Sequence, residues 1–350
     1  MKTQVIQNDF RGQIIYVGID VHKKSWKVAI FWKGQMLKVF SQPPDPKVLV
    51  KYLRKHYPGA QFECGYEAGF CGFWVQEQLG ALGLSCVVLH AADIPTTDKE
   101  KRQKTDARDC RKIAISIANS MVGGIYIPPK QLQHDRSVVR ARLKISRDHT
   151  RTQNRIKGHI YFYGIELGKV PRYWSRNYID RLWKWSEEQE DHTMALLLEE
   201  LEMLRDLKLK ALQVLRRLSR QPRYERVIKL LQSIPGMGLI HAMCFATEMG
   251  DIRRFKKLDQ LCSMIGLIPT THASGDKSGV GRITKRGKSQ VKSTIIEAAW
   301  VAIGADKELR QAYSRLSQRM KQNRAIIRIA KKLVNRIRAV LLQDRPYVQA

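Results

Sequence analysis

At 350 residues, with 43% hydrophobic and 8% aromatic side chains, the chain can build two or three domains with real cores, and its composition is not that of a disordered protein. Lysine and arginine number 63 against 32 acids, a formal net charge of +31, and such an excess selects a polyanion, nucleic acid above all. No apolar run approaches the ~20 residues that span a bilayer, no signal peptide is expected before the first strand, and the six cysteines show neither CxxC pairs nor metal-ligand spacing, which fits a reducing, cytoplasmic setting.

In chain order, residues 14–20 (IIYVGID) read as a buried strand ending at Asp20. Residues 26–32 alternate as a second strand. Lys33-Gly34-Gln35 turns the chain into a third strand at 36–40, which Pro43, Pro44 and Pro46 end. A helix is predicted over 47–56, a strand over 61–67 (QFECGYE) ending at Glu67, a helix over 72–83 and a strand over 85–89. A further helix runs from near Thr105 to about Ser120. A meander followed by alternating helices and strands predicts a mixed α/β sheet with flanking helices for residues 1–130.

Residues 131–223 lack strand signals and carry Leu196, Leu197, Leu201, Leu204, Leu207, Leu212 and Leu215 at helical spacing, the pattern of a helical, coiled-coil arm. Within it, the Arg- and Lys-rich stretch Asp135–Lys157 is either a solvated helix face or a face for nucleic-acid backbone. Residues 224–350 predict a mainly α unit with one Gly-rich loop at 266–287. Its last helix, 310–345, holds eleven Lys/Arg and one acid, Asp344, a surface suited to nucleic acid or solvent.

Four carboxylates of the first region form a pattern. Asp20 and Glu67 each close a strand, and Asp106 and Asp109 stand three apart on one helix face in KTDARD. Taken singly, a strand-end Asp is an ordinary turn former and Asp106 an ordinary helix cap. Together they make an oxygen-rich site for Mg²⁺, which takes carboxylates and water and supports phosphoryl transfer. His22, two residues beyond Asp20, reads as a hydrogen-bonded loop histidine, with a metal or phosphate role as the alternative.

The last region carries two motifs. In SIPGMG, two apolar segments flank Gly236 and Gly238 like a helix-hairpin-helix, whose glycines let backbone amides approach a phosphate. The loop SGDKSGVGRITKRG holds Lys277, Arg282, Lys285 and Arg286 around two serines, Ser274 and Ser278. A serine amid cations is a candidate nucleophile toward phosphate, since the cations stabilise the alkoxide and the developing charge. Such loops also simply hold backbone phosphates, and chemistry alone does not choose between the two serines.

YVGIDVHK (16–23), YEAG (66–69), KTDARD (104–109), SIPGMG and GLIP…SG…GRITKRG together resemble the DEDD-class insertion-sequence transposases, described as bridge-RNA-guided recombinases. The resemblance covers nearly the whole chain. It implies a RuvC-like, RNase H-type first domain with Asp20, Glu67, Asp106 and Asp109 as catalytic Mg²⁺ ligands. It implies Ser274 as the nucleophile that joins a DNA 5′ phosphate. It also implies assembly through the helical arm into a homo-oligomer, a dimer or tetramer, with composite sites formed in tetramers by domains of different subunits, and a noncoding bridging RNA that specifies target and donor DNA. Cys110 stands where the pattern has alanine, a small-for-small exchange. Two other readings compete: a RuvC-like Mg²⁺ nuclease or Holliday-junction resolvase that uses water and forms no covalent intermediate, and a non-catalytic nucleic-acid scaffold.

Overall fold

The computed structural model describes residues 10–96, 105–166, 168, 170–274, 277–284 and 286–349, with backbone alone for 271–274, 277–280 and 282. It divides into two compact units, one ending at Ile127 and the other starting at Pro128.

The first unit is a mixed five-stranded sheet. Strands β1 (Ile14–Val21), β2 (Trp26–Trp32) and β3 (Gln35–Gln42) form an antiparallel meander, and β4 (Gln61–Glu67) and β5 (Ser85–Leu89) add in parallel beyond β1, giving the order β3-β2-β1-β4-β5. Successive side chains alternate between the sheet's faces. Ile15, Val17 and Ile19 of β1 therefore share one face with Val28 and Ile30 of β2, and helices α1 (Pro46–His56) and α2 (Trp74–Ala81) cover it with Leu49, Leu53, Val75 and Leu79. Each of these fully buried aliphatic side chains contributes roughly 1.5–3 kcal/mol.

The opposite face carries Gly18 and Asp20 on β1 and receives helix α3 (Asp106–Ala118). A Cβ on Gly18 would collide with the Cys110 carbonyl and lie 2.6 Å from the Ala114 nitrogen. A Cβ on Gly65 would collide with the Ile117 side chain. Two glycines on adjacent strands thus let α3 lie directly on the sheet, with Cys110 buried in the contact.

The second unit is helical apart from one hairpin. Helices α4 (Lys130–Phe162) and α6 (His192–Ser219) pack side by side, with α5 (Arg176–Glu188) against their far end. That end has its own core of Ile156, Ile160, Tyr178, Ile179, Leu182, Met194, Leu198 and Leu201. The leucine pattern of α6 is not a single buried stripe: Leu201 and Leu215 are buried, while Leu196 and Leu207 are exposed.

Helices α7 (Pro222–Gln232), α8 (Leu239–Met249), α9 (Leu258–Ile265), α10 (Ser289–Ala305), α11 (Lys307–Arg319) and α12 (Gln322–Gln343) surround a larger core. The single helix expected over 310–345 is two helices. The chain turns extended at Met320, so that Ile326, Ile329, Leu333 and Ile337 of α12 can enter the core. The Gly-rich loop expected at 266–287 contains an antiparallel hairpin, β6 (Pro269–Ser274) and β7 (Lys277–Ile283), whose β-branched residues outweigh its glycines. Among the described residues, no helix is long and apolar enough to cross a membrane.

Candidate active site

The parallel pairing of β1 with β4 sets Ile19 opposite Tyr66. One residue further, Asp20 and Glu67 leave the two strand ends in step, on the face that carries Gly18 and Gly65. Parallel neighbours lie about 4.8 Å apart, so the two carboxylates start from adjacent backbone positions.

The same glycines bring the first turn of α3 to this edge. Asp106 and Asp109 occupy that turn, where the helix N-terminus favours negative charge. His22 completes the arrangement: its Nε2 is 3.0 Å from Asp20 Oδ2 and 3.7 Å from Asp106 Oδ2. Among the described residues, Asp20, His22 and Asp106 each offer a ligand atom within 4.8 Å of the others'. Glu67 is exposed at the end of β4, beside this trio and outside it. Asp109 reaches Asp20 through its charge.

Burial pushes the Asp20 carboxyl above its ordinary range, His22 pulls it back through charge and hydrogen bond, and the Asp106 and Asp109 charges push it up again. A cation at this edge would relieve the cost that burial and the Asp106 and Asp109 charges place on ionising Asp20. Oxygen donors with one imidazole suit a divalent ion, so the residues present fit a metal of that class.

In the second unit, α7 and α8 flank Gly236 and Gly238 as the sequence predicts. Gly236 has φ +86°, and a Cβ there would collide with the Ala298 carbonyl and lie 3.0 Å from the Ala302 nitrogen. Its glycine requirement therefore comes from packing against α10. Gly238 caps α8, and its nearest neighbour to an added Cβ is His241 Nδ1 at 3.8 Å, which leaves that side open.

Ser274 ends β6 opposite Lys277, the first residue of β7. The hairpin's base is pinned: Thr284 donates its N–H to the Ile268 carbonyl (2.9 Å), Lys288 its N–H to the Met264 carbonyl (2.9 Å), and Lys292 Nζ bonds the Thr284 carbonyl (3.1 Å). Gly266 and Gly287, both at positive φ, pack backbone to backbone below it. Arg286 is exposed beside this base. Lys285 lies outside the described residues, as do the side chains of Ser274, Lys277 and Arg282.

Sequence reasoning did not foresee the buried ion network under the hairpin. Glu248, 2% exposed at the end of α8, takes two hydrogen bonds from Arg140 (2.5 and 3.0 Å), with Arg136 at 3.6 Å and Lys288 at 3.7 Å. Arg136 also bonds the Thr247 and Glu248 carbonyls. Part of the basic Asp135–Lys157 stretch is thus internal: Arg136 and Arg142 are buried. Arg336 of α12 likewise serves inside the unit, bonding Asp306 and Glu308.

Comparison with known proteins gives a consistent picture. Residues 17–164 match a family described as Transposase, of the DEDD type of IS110, and residues 228–314 match the Transposase IS116/IS110/IS902 family. The chain is 27% identical over 292 residues to y4qE of Sinorhizobium fredii, whose name places it among transposases, covering 81% of this chain and 71% of that protein. It is 25% identical over 261 residues to the transposase for insertion sequence element IS1111A of Coxiella burnetii, covering 71% of this chain and 69% of the relative. It is 27% identical over 175 residues to the transposase for insertion sequence element IS1533 of Leptospira borgpetersenii, 49% of each.

Proposed function

This chain belongs to the IS110/IS116 family of transposases, enzymes of DNA strand cleavage and transfer, and from that premise we propose that its first unit is an RNase H-like, RuvC-type catalytic domain whose carboxylates hold Mg²⁺. The observation that carries the reading is the convergence of Asp20, His22 and Asp106 at one sheet edge, with Glu67 and Asp109 beside them. The strand order, with a meander and two parallel additions, supports the RNase H-like assignment.

Asp20, Glu67, Asp106 and Asp109 would hold the ion, and His22 orients the Asp20 carboxylate through its hydrogen bond. When bound, Mg²⁺ withdraws charge from a phosphoryl oxygen and the leaving oxygen. The protein's part is to keep these ligands in place, which α3 does by lying on Gly18 and Gly65.

Ser274 is the proposed nucleophile. Its Oγ bonds to a DNA 5′ phosphorus as the bond to the 3′ oxygen breaks, and the serine proton ends on the released 3′ hydroxyl. Attack by a new 3′ hydroxyl on the phosphoserine bond restores the serine and rejoins DNA, so strand transfer needs no other reagent. Its place at the end of β6, on a hairpin pinned at its base, supports that role. Lys277, Arg282, Lys285 and Arg286, with Gly236 and Gly238 at the helical hairpin, are the proposed contacts to DNA backbone. A noncoding bridging RNA as guide follows from the family resemblance and fits the net charge of +31. Homo-oligomerisation through the arm is supported by Leu196, Met203, Leu207 and Val214, which form an exposed apolar stripe along α6.

The test of the metal reading is strand cleavage of DNA carrying the element's ends, with Mg²⁺ titrated in. Cleavage should require the ion and vanish in Asp106→Ala. Metal-independent cleavage would overturn it.

A further inference from the structure

Arg155 of α4 meets Glu200 of α6, and Val139 shares a core with Leu215, so the two helices run antiparallel and set residues 142–149 opposite 205–212. Apolar packing closes both ends of their contact, through Val139 and Leu215 at one end and Ile156 with Leu198 and Leu201 at the other. Between those ends, alongside half-buried Ile145, Leu204 and Leu212, the two helices carry four basic side chains. Arg142 is 8% exposed, and its Nε has no hydrogen-bond partner. Arg205 Nη1 is also buried and unpartnered. His149 and Lys208 are half-buried beside them.

No described carboxylate pairs with any of the four. Of the nearby acids, Asp148 bonds Arg151 (2.7 Å), Glu200 bonds Arg155, Asp206 is exposed and Glu202 is half-buried. Burial pushes the Lys208 ammonium below its ordinary range, and Arg142 and Arg205 push the same way. His149 is lowered by burial and then by Lys208 and Arg205. Burying charge without a partner is costly, and a core position filled by an apolar side chain avoids the cost. Guanidinium groups present several N–H donors in a planar fork that fits a phosphate's oxygens.

We propose that Arg142, His149, Arg205 and Lys208 form a seat for a backbone phosphate of a polynucleotide laid against the helical arm, a contact separate from the carboxylate site and the serine hairpin. The proposal rests on the reading of the chain as a nucleic-acid enzyme, because a free anion would account for the cations but not for their place on this highly basic chain.

The test uses the full chain, a 30-base-pair DNA duplex and an RNA hairpin of similar length, with binding measured across salt concentrations. Removing the cation that neutralises one phosphate lowers the slope of log affinity against log salt by about 0.9 for duplex DNA and about 0.7 for single strands. Arg142→Met with Arg205→Met should lower the slope by about that amount and weaken binding about ten-fold for at least one polynucleotide, which identifies the occupant. The double variant should melt no lower than the wild type in phosphate-free buffer, because two unpaired charges are gone. Lys208→Met, at a more accessible position, should lower the slope too and serves if the double variant is misfolded. An unchanged slope for both polynucleotides, with native circular dichroism, overturns the proposal, as does sulfate-dependent stabilisation of the wild type with polynucleotide binding unaffected by the substitutions. A wild type that binds neither probe overturns the functional reading itself.

Discussion

His22 Nε2 stands 3.0 Å from Asp20 Oδ2, which ties the residue after the first strand to the carboxylate one position before the strand's last residue. Asp106 approaches the same nitrogen at 3.7 Å, so one imidazole links the strand-end and helical halves of the carboxylate group. Removing a group that orients metal ligands typically costs 10- to 100-fold in metal affinity. His22→Ala should therefore weaken Mg²⁺ or Mn²⁺ binding by about ten-fold, measured by calorimetry on the full chain. Unchanged affinity would leave His22 a plain loop residue.

Gly18→Ala tests the placement of α3. The added Cβ meets the Cys110 carbonyl and the Ala114 nitrogen, both rigid backbone, so the helix must move. Overpacking of this kind costs about 1–3 kcal/mol. The variant should unfold at lower urea and lose divalent-ion binding together, because Asp106 and Asp109 travel with the helix. Loss of stability with ion affinity intact would separate α3 from the site.

Glu248→Gln should be among the most damaging isosteric changes in the second unit. It leaves Arg140, Arg136 and Lys288 facing one another without their shared carboxylate. Breaking a buried ion pair from one side costs about 3–5 kcal/mol. A urea midpoint within error of the wild type would show that the network is dispensable.

The same network sets an acid limit. Burial pushes the Glu248 carboxyl up, but Arg140's hydrogen bonds and the Arg140, Lys288 and Arg136 charges outweigh it and leave it below its ordinary value. For Asp306, burial is likewise outweighed by the Leu309 N–H, Tyr347 and Arg336. A depressed carboxyl adds stability above its unfolded value, about 4 for Asp and Glu, and loses it as pH falls through the lower folded value. Unfolding free energy should be flat from pH 7 to about 5 for these two groups and decline below about 4. Glu248→Gln should flatten that decline.

What the sequence shows about this site is what local spacing encodes. Asp20 and Glu67 are legible because each follows a strand's apolar run, and Asp106 and Asp109 because three residues separate them on a helix. The role of Gly18 and Gly65 is hidden, since it depends on which helix covers which face. The hairpin at 269–283 is masked by glycines that ordinarily mark loops, and the break at Met320 has no glycine or proline to announce it. Burial of Arg136 and Arg142 is illegible for a different reason. For Arg136 it depends on Thr247 and Glu248, more than a hundred residues away, and for Arg142 on the helix that packs opposite.

The measurement that bears most directly on the account is a search for protein-linked DNA. Purified chain, with any nucleic acid that accompanies it, is incubated with Mg²⁺ and end-labelled DNA carrying the element's ends, and the products are run on denaturing gels without protease. A labelled species at the protein's mass, absent in Ser274→Ala and in Asp106→Ala, is the predicted result. Free cleavage products that persist in Ser274→Ala would contradict the serine mechanism and make the carboxylate site a water-using nuclease.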